Sequence, residues 1–291
     1  MKFAALILVS LFSALGFADT VVDSHGKGQH PSAFYQPREG ETALDFGFST
    51  RNTRVKMEDA TATNSMWSTR TRAIVEWGLS DHFSAGLGLG YIEGKSAAFT
   101  HQKGVEDVEG FAKFAFPGES MNLYLGGRFL YSAQDSTVKP KGSSFEQNGF
   151  SGGHSVGING GFAAHAPYGQ AGVKVDYLHR QGRLQTKENL PDTTYTGGNV
   201  MTGRAFYEYD LDGMPLGFNL NMENTSAIDT EISGTTTPGD AVSLYGVGLN
   251  TRLYWNADMS LVPELNWWTT GDSSYKVYDR WDMSVFFRWS L

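Results

Sequence analysis

The sequence has no cysteine, which excludes a disulfide framework, a thiolate metal site and a cysteine nucleophile. It also lacks repeated long apolar runs, because only its first segment is continuously hydrophobic. A bundle of membrane helices would need several apolar runs of roughly 20 residues. Positive charge is in deficit, with 23 basic against 31 acidic residues, so the composition gives no support to nucleic-acid binding.

Glycine and aromatic residues are abundant. The chain has 35 glycines in 291 residues, and 13% of its residues are aromatic. The average glycine content of proteins is only about 7%. This combination favours an all-β protein with closely packed strands.

The single apolar run lies at the start of the chain. Lys2 supplies a positive charge, residues 3–17 are mostly apolar, and Gly16-Phe17-Ala18 places small residues at the −3 and −1 positions of a cleavage site. A short run that ends in a cleavage pattern is typical of a secretory signal peptide. We therefore predict that residues 1–18 are removed on export.

The rest of the chain shows no helix-length segment with a 3.6-residue period. Instead, apolar and polar residues alternate in runs of about ten, which is typical of strands with two unlike faces. The pattern predicts twelve strands, near residues 42–56, 65–78, 83–94, 105–116, 121–132, 152–166, 170–181, 199–210, 215–224, 241–255, 260–270 and 278–291.

The connections between these strands alternate in length. Short turns follow the even-numbered strands, at 80–82, 117–120, 167–169, 212–214 and 256–258, and carry the turn formers Gly, Pro, Asn and Asp. Longer polar connections follow the odd-numbered strands, at 57–64, 95–104, 133–151, 182–198, 225–240 and 271–277. A transmembrane β-barrel has this asymmetry, with short turns in the periplasm and long loops outside, whereas a soluble sandwich has no reason for it.

We therefore predict an all-β fold, a transmembrane antiparallel β-barrel of twelve strands over residues 42–291. The predicted signal peptide at 1–18 and a periplasmic or lumenal segment at 19–41 precede it.

The aromatic residues indicate which face of each strand meets lipid. Trp67 and Trp77 share a face ten residues apart. At roughly 3.3 Å per residue and a tilt near 40°, their separation along the barrel axis is about 25 Å, the height of a lipid-facing band between two aromatic girdles. The predicted membrane-interface aromatics are Trp67, Trp77, Tyr91, Tyr131, Tyr209, Trp255, Trp267, Trp281 and Trp289.

The last ten residues, Asp282–Leu291, carry the most specific pattern, because Val285, Phe287, Trp289 and Leu291 occupy alternate positions up to the end. This pattern resembles the C-terminal strand signal of bacterial outer-membrane β-barrel proteins, a porin-like class, with Leu in place of the usual terminal Phe. The resemblance implies an outer-membrane location in a Gram-negative bacterium. It also implies contact with the barrel-assembly machinery through Asp282–Leu291.

The opposite faces of the strands carry charges of both signs. The alternation predicts that the lumen is lined by Arg70, Arg72, Glu76, Glu109, Lys113, Arg128, Lys174, Asp176, Arg204, Glu208, Arg252, Glu264 and Arg288. Such a wall is typical of a water-filled diffusion channel, but the same charges can form ion pairs that close the lumen. Barrels of eight strands are filled by side chains and barrels of sixteen leave a channel, so twelve strands leave both outcomes open.

Small residues also lie on the predicted inward faces. The third strand places Ser84, Gly86, Gly88 and Gly90 there. Such residues either leave empty space in the lumen, or they permit strong coiling of the strand or lie beside bulky neighbours. The sequence favours neither interpretation.

An outer-membrane enzyme is the main rival class. A lipid hydrolase could pair His154 with Ser155, with Asn159 to orient the histidine. Adjacent residues of a strand point to opposite faces, so His154 and Ser155 cannot easily share a proton. We predict no catalytic residue, no metal and no cofactor.

The function expected from these patterns is passive diffusion of small hydrophilic solutes through a charged lumen, narrowed by loops 133–151 and 182–198. The alternatives are a closed structural or surface-binding barrel and a lipid-modifying or proteolytic enzyme. The expected partners are outer-membrane lipid, the assembly machinery and small hydrophilic solutes.

Overall fold

The computed structural model describes residues 37–58, 61–97, 100–117, 121–166, 168–211, 214–255, 259–272 and 275–291. The predicted signal peptide and residues 19–36 of the predicted N-terminal segment lie outside these ranges. Parts of three predicted short turns, at 118–120, 167 and 212–213, and the whole of the turn at 256–258 also lie outside them. Across the ranges described, no helix is long and apolar enough to cross a membrane.

The described residues form twenty strands. They are β1 (Thr42–Met57), β2 (Asn64–Ser80), β3 (Phe83–Ala97), β4 (Thr100–Val105), β5 (Val108–Pro117), β6 (Met121–Tyr131), β7 (Ser136–Lys141), β8 (Ser144–Gln147), β9 (Ser155–Ala166), β10 (Gly169–Arg180), β11 (Arg183–Lys187), β12 (Thr193–Tyr195), β13 (Gly198–Leu211), β14 (Met214–Thr225), β15 (Thr230–Ile232), β16 (Thr235–Thr237), β17 (Val242–Thr251), β18 (Leu253–Tyr254), β19 (Met259–Thr270) and β20 (Tyr275–Ser290).

Twelve barrel strands form a closed antiparallel barrel within the described chain. Ten of them are single strands, whereas β4 with β5 and β17 with β18 each form one interrupted barrel strand. The last strand closes the barrel on the first, from Ala43 paired with Ser290 to Met57 paired with Tyr275. The predicted fold class and strand number are therefore confirmed.

The fourth barrel strand differs from its prediction as one uninterrupted strand over 105–116. It begins at Thr100 and is interrupted at residues 106–107. From Tyr91 to Gly88, β3 advances by three residues, whereas the strand paired with it advances by four, from Val105 to Glu109. One extra residue on one of two paired strands is a β-bulge. Gly104 precedes the bulge with a φ of 146°, a backbone conformation that other residues rarely adopt.

The long connections contain strands that the sequence pattern does not predict. Starting from β4, the strands β8, β7, β11, β12, β15 and β16 pair in that order above the barrel wall. We call these six strands the loop sheet. It joins the predicted loops 95–104, 133–151, 182–198 and 225–240 into one surface at the loop end of the barrel.

The outer face is apolar. Exposed side chains such as Phe46, Leu89 and Ile158 cover it between the two ends. The predicted interface aromatics lie on this face in two groups. Trp67, Tyr91, Tyr131, Trp267 and Trp281 lie toward the loop end, and Trp77, Tyr209, Trp255 and Trp289 lie toward the turn end. Their contact with a membrane interface stays a prediction.

Candidate functional site in the lumen

The thirteen residues predicted to line the lumen all lie on the interior face, buried or partly buried. The structure separates them into two levels. Arg70, Arg72, Glu109, Arg128, Lys174, Asp176, Arg204 and Glu264 surround a cavity in the middle and loop-end part of the lumen. Glu76, Lys113, Glu208, Arg252 and Arg288 lie nearer the turn end and do not line that cavity.

The turn-end level contains a compact group of charges, which we call the turn-end cluster: Asp45, Glu76, Ser84, Lys113 and Arg288. Glu76 accepts hydrogen bonds from Lys113 Nζ and from Ser84 Oγ, each at 2.6 Å. Arg288 Nε donates to Asp45 at 2.5 Å, and its Nη2 lies 3.7 Å from Glu76. All four charged side chains are at most 10% exposed, so these charges are compensated by one another rather than by bulk water.

Glycines at this level and at its border with the cavity make room for aromatic rings, and one of these rings, Phe286, also lines the cavity. Gly86 faces the ring of Phe111, and Gly47 faces the ring of Phe286, so that a β-carbon at either position would overlap the ring. Phe111 and Phe286 therefore occupy volume that the inward glycines leave. At these two positions the structure favours the interpretation that small residues accommodate bulky neighbours.

Above this level lies a cavity of about 210 Å³. Nine cationic side chains and seven carboxylates line it. Most of them form ion pairs between different strands: Arg70 with Glu106 at 2.6 Å, Arg72 with Glu109, Arg128 with Asp176 at 2.5 Å, Arg204 with Glu264 at 2.7 Å, and Arg51 with Asp282 at 2.8 Å. Only the last pair joins neighbouring strands, whereas the others reach over at least one strand. The surplus of two cations makes the cavity wall net positive, which favours anions.

The loop sheet covers the cavity with a polar network. Gln147 Nε2 donates to Ser136 Oγ at 3.2 Å, and Gln185 Nε2 donates to the same oxygen at 3.4 Å. Tyr195 OH donates to Gln185 Oε1 at 3.2 Å. Burial raises the pKa of the Tyr195 phenol, an effect that nearby Arg183 opposes. Loops 133–151 and 182–198 thus both contribute side chains to the cavity, where the sequence predicts a narrowing.

One side of the cavity is apolar. Leu130, Leu178, Val200 and Trp268 line it and belong to a larger hydrophobic cluster inside the loop end of the barrel. Arg280 stacks on Trp268, with its guanidinium carbon 4.3 Å from the ring centroid. The cavity therefore combines a charged wall with an apolar wall.

Eight further charged residues line this cavity beyond the predicted lining. Strand alternation also places five of them inward, namely Arg51, Asp107, Arg180, Glu223 and Asp282, but the sequence prediction missed the other three. Arg280 has the same strand parity as Asp282 and pairs with it at 3.1 Å, so alternation alone could have found it. Glu106 lies in the β-bulge, where alternation fails. Arg183 belongs to the loop sheet, and no periodic signal in the sequence places it above the lumen.

The His154 and Ser155 pair does not form a catalytic arrangement in the described chain. Ser155 is buried on the interior face, whereas the His154 ring stacks on outward-facing Tyr131 with centroids 5.0 Å apart. His154 Nδ1 accepts the backbone N–H of Ser132 at 3.3 Å. The two side chains therefore lie on opposite faces, as the sequence analysis expects.

Comparison with known proteins gives structural similarity only. No protein-family model matches the sequence, and no curated protein sequence matches it. An outer-membrane channel from Pseudomonas putida F1 matches with a TM-score of 0.67 at 11% identity, over 88% of this chain and 97% of that one. The transport unit of the autotransporter AIDA-I from Escherichia coli matches with a TM-score of 0.55 at 9% identity, over 99% of both chains. The chain thus has the fold of bacterial outer-membrane β-barrels.

Proposed function

We propose that the protein is an outer-membrane channel for passive diffusion of small hydrophilic solutes. The observation that carries the proposal is the charged cavity of about 210 Å³ inside the barrel. An apolar outer belt surrounds this polar interior, which is the arrangement of transmembrane barrels that hold water in their lumen. The similarity in fold to an outer-membrane channel is consistent with this role.

The loop end offers the route into the cavity. The polar network of Ser136, Gln147 and Gln185 is held by hydrogen bonds of 3.2 and 3.4 Å, long for neutral donors and acceptors. Neutral bonds of this kind contribute only about 0.5–1.5 kcal/mol each. We expect solutes to enter the cavity from the loop side, past this network.

A closed structural barrel is the second candidate, and the turn-end cluster favours it. The mutual contacts of Glu76, Lys113 and Arg288 fill the interior against β1, β2, β3, β5 and β20. If these contacts persist, solutes that enter the cavity cannot pass along that side. The two candidates therefore differ in whether the folded barrel conducts.

Single-channel conductance of the refolded protein in a planar bilayer separates them. Thr202 lines the cavity from β13, whereas Met201, its neighbour in the chain, is exposed on the outer face. We expect steady ohmic steps from the native protein, a strong reduction with Thr202→Trp, and native conductance with the matched control Met201→Trp. Absence of current from a natively folded barrel would support the closed barrel instead.

A further inference from the structure

Arg128 carries hydrogen-bond donors that no described residue uses. Its side chain is 5% exposed, lies on β6 and lines the cavity. Nη2 donates to Asp176 Oδ1 at 2.5 Å, but Nε and Nη1 are buried without a hydrogen-bond partner in the described part of the chain. A buried charged group whose N–H donors make no hydrogen bond lowers the stability of the fold, unless a ligand or a water molecule accepts hydrogen bonds from these donors.

Two further guanidinium groups approach the same region. Arg180 at the end of β10 pairs with Ser155 of β9, two residues from Gly157, which pairs with Arg128. Arg128, Arg180 and Arg183 all line the cavity. Glu223 and Asp107 are carboxylates that line the same cavity. Glu223 also pairs with Arg280 at 3.4 Å, and Asp107 accepts the Ser151 N–H at 3.1 Å. An anion placed among Arg128, Arg180 and Arg183 would relieve their mutual repulsion.

The same place has an apolar boundary. Gly157 lies on the interior face of β9, and a β-carbon there would be 3.1 Å from Leu178 and 3.3 Å from the Arg128 side chain. The missing side chain thus leaves room at the wall for Leu178 and for the aliphatic stem of Arg128. Leu178 continues into the apolar side formed with Leu130, Val200 and Trp268.

The size of the cavity limits the ligand. A dry cavity of about 150 Å³ is known to hold benzene. The cavity of about 210 Å³ is large enough for a single ring or a short aliphatic chain with one carboxylate.

We propose that this cavity binds small organic acids, with the carboxylate at Arg128, Arg180 and Arg183 and the apolar body against Leu178, Val200 and Trp268. The inference rests on the proposed function and names its substrate class: aromatic and short aliphatic carboxylates. Arg128 Nη1 donates to the carboxylate while Nη2 stays on Asp176. The apolar wall contacts the ring or chain of the acid and adds affinity for it. A sugar would not gain affinity from this wall.

Isothermal titration calorimetry of the refolded full barrel in detergent tests the proposal, with benzoate as the probe and benzyl alcohol as its neutral analogue. We expect benzoate to bind about tenfold or more tightly than benzyl alcohol, since only benzoate gives the guanidinium groups an anionic acceptor. Equal affinities, or no heat from benzoate up to millimolar concentration, would overturn the proposal.

Variants locate the site. Arg128→Lys keeps a cation near Asp176 but removes the unused donors, so we expect benzoate affinity to fall about tenfold or more. Arg54→Lys, the same change at an exposed outer-face position, should leave the affinity unchanged. If Arg128→Lys does not refold, Arg183→Gln in the loop sheet provides the second test. Native affinity in a folded Arg128→Lys or Arg183→Gln barrel would overturn the assignment of the site.

The outcome is distinguishable from failure of the channel proposal. Benzoate binding to a barrel that does not conduct would overturn the proposed function and support the organic-acid site. Conductance without benzoate binding would support the channel and overturn the organic-acid site.

Discussion

Charged side chains line both levels of the lumen, but they fill the interior at the turn end and surround a cavity toward the loop end. In the turn-end cluster, Glu76 is held by Lys113, Ser84 and Arg288, and aromatic rings occupy the space above nearby glycines. In the cavity, guanidinium groups outnumber carboxylates and Arg128 keeps unused donors. An inward charge is therefore not a sign of a channel by itself. What matters is whether its partners and its neighbours fill the space around it.

The largest effect is expected at the turn-end cluster. Glu76→Gln leaves Lys113 and Arg288 buried with less compensating charge, so we expect the free energy of unfolding to fall by about 3–5 kcal/mol. Asp176→Asn acts at a cavity where solvent can enter, and it should cost only about 1.5–3 kcal/mol. Denaturant titrations of refolding in lipid vesicles measure both. Equal costs would mean that the two levels are equally well packed.

The outer face should respond to charge according to depth. Leu89 lies on β3, and its exposed side chain lies between the two aromatic groups. Leu89→Arg should cost about 2–4 kcal/mol, whereas Tyr91→Arg, in the loop-end group, should cost about 0–1 kcal/mol. The same vesicle titration compares the two. A harmless Leu89→Arg would show that this face does not contact lipid.

A smaller effect is expected for an ion pair outside the barrel. Arg54 on β1 forms an ion pair with Asp279 on β20. The buried pair of Arg51 with Asp282 lies three residues away on the same two strands, but on the opposite face. The Arg54 side chain is 60% exposed, so Arg54→Ala should cost less than about 1 kcal/mol. A cost as large as that of Arg51→Ala would contradict the assignment of the two faces.

Neutralising part of the cavity wall should change ion selectivity, in addition to the stability cost of leaving Glu106 and Glu109 without their arginine partners. Arg70→Gln with Arg72→Gln removes two positive charges from the wall, so we expect the reversal potential under a salt gradient to move toward cations. The shift should shrink at high salt, where the Debye length is about 3 Å at 1 M. Arg54→Gln with Lys103→Gln, which removes two exposed charges outside, is the matched control. An unchanged potential in the conducting double variant would show that these arginines do not line the path.

The barrel wall follows from local alternation, and therefore could be predicted. Trp67 and Trp77 lie outward and Arg70, Arg72 and Glu76 inward because each strand residue points away from its neighbour. The loop sheet could not be predicted in this way. Its strands are short, and β11 pairs with β7 in parallel across about 50 residues of chain, so no local period records the contact.

The cavity was predictable only in part. Arg128 and Asp176 follow from parity, but their pairing across β9 depends on Gly157, which leaves room for the Arg128 side chain. Glu106 could not be assigned because the β-bulge shifts the register at that point. Leu178, Val200 and Trp268 depart from the rule that apolar residues face outward, and this departure creates the apolar wall.

The proposed channel requires that the loop-end half of the lumen is a positively lined path rather than a filled interior. Its most direct test is the reversal potential of single channels of the native protein under a potassium chloride gradient. We expect ohmic current with a reversal potential toward chloride, because nine cations and seven carboxylates line the cavity. A folded barrel that is silent, or one whose current is selective for potassium, would contradict it.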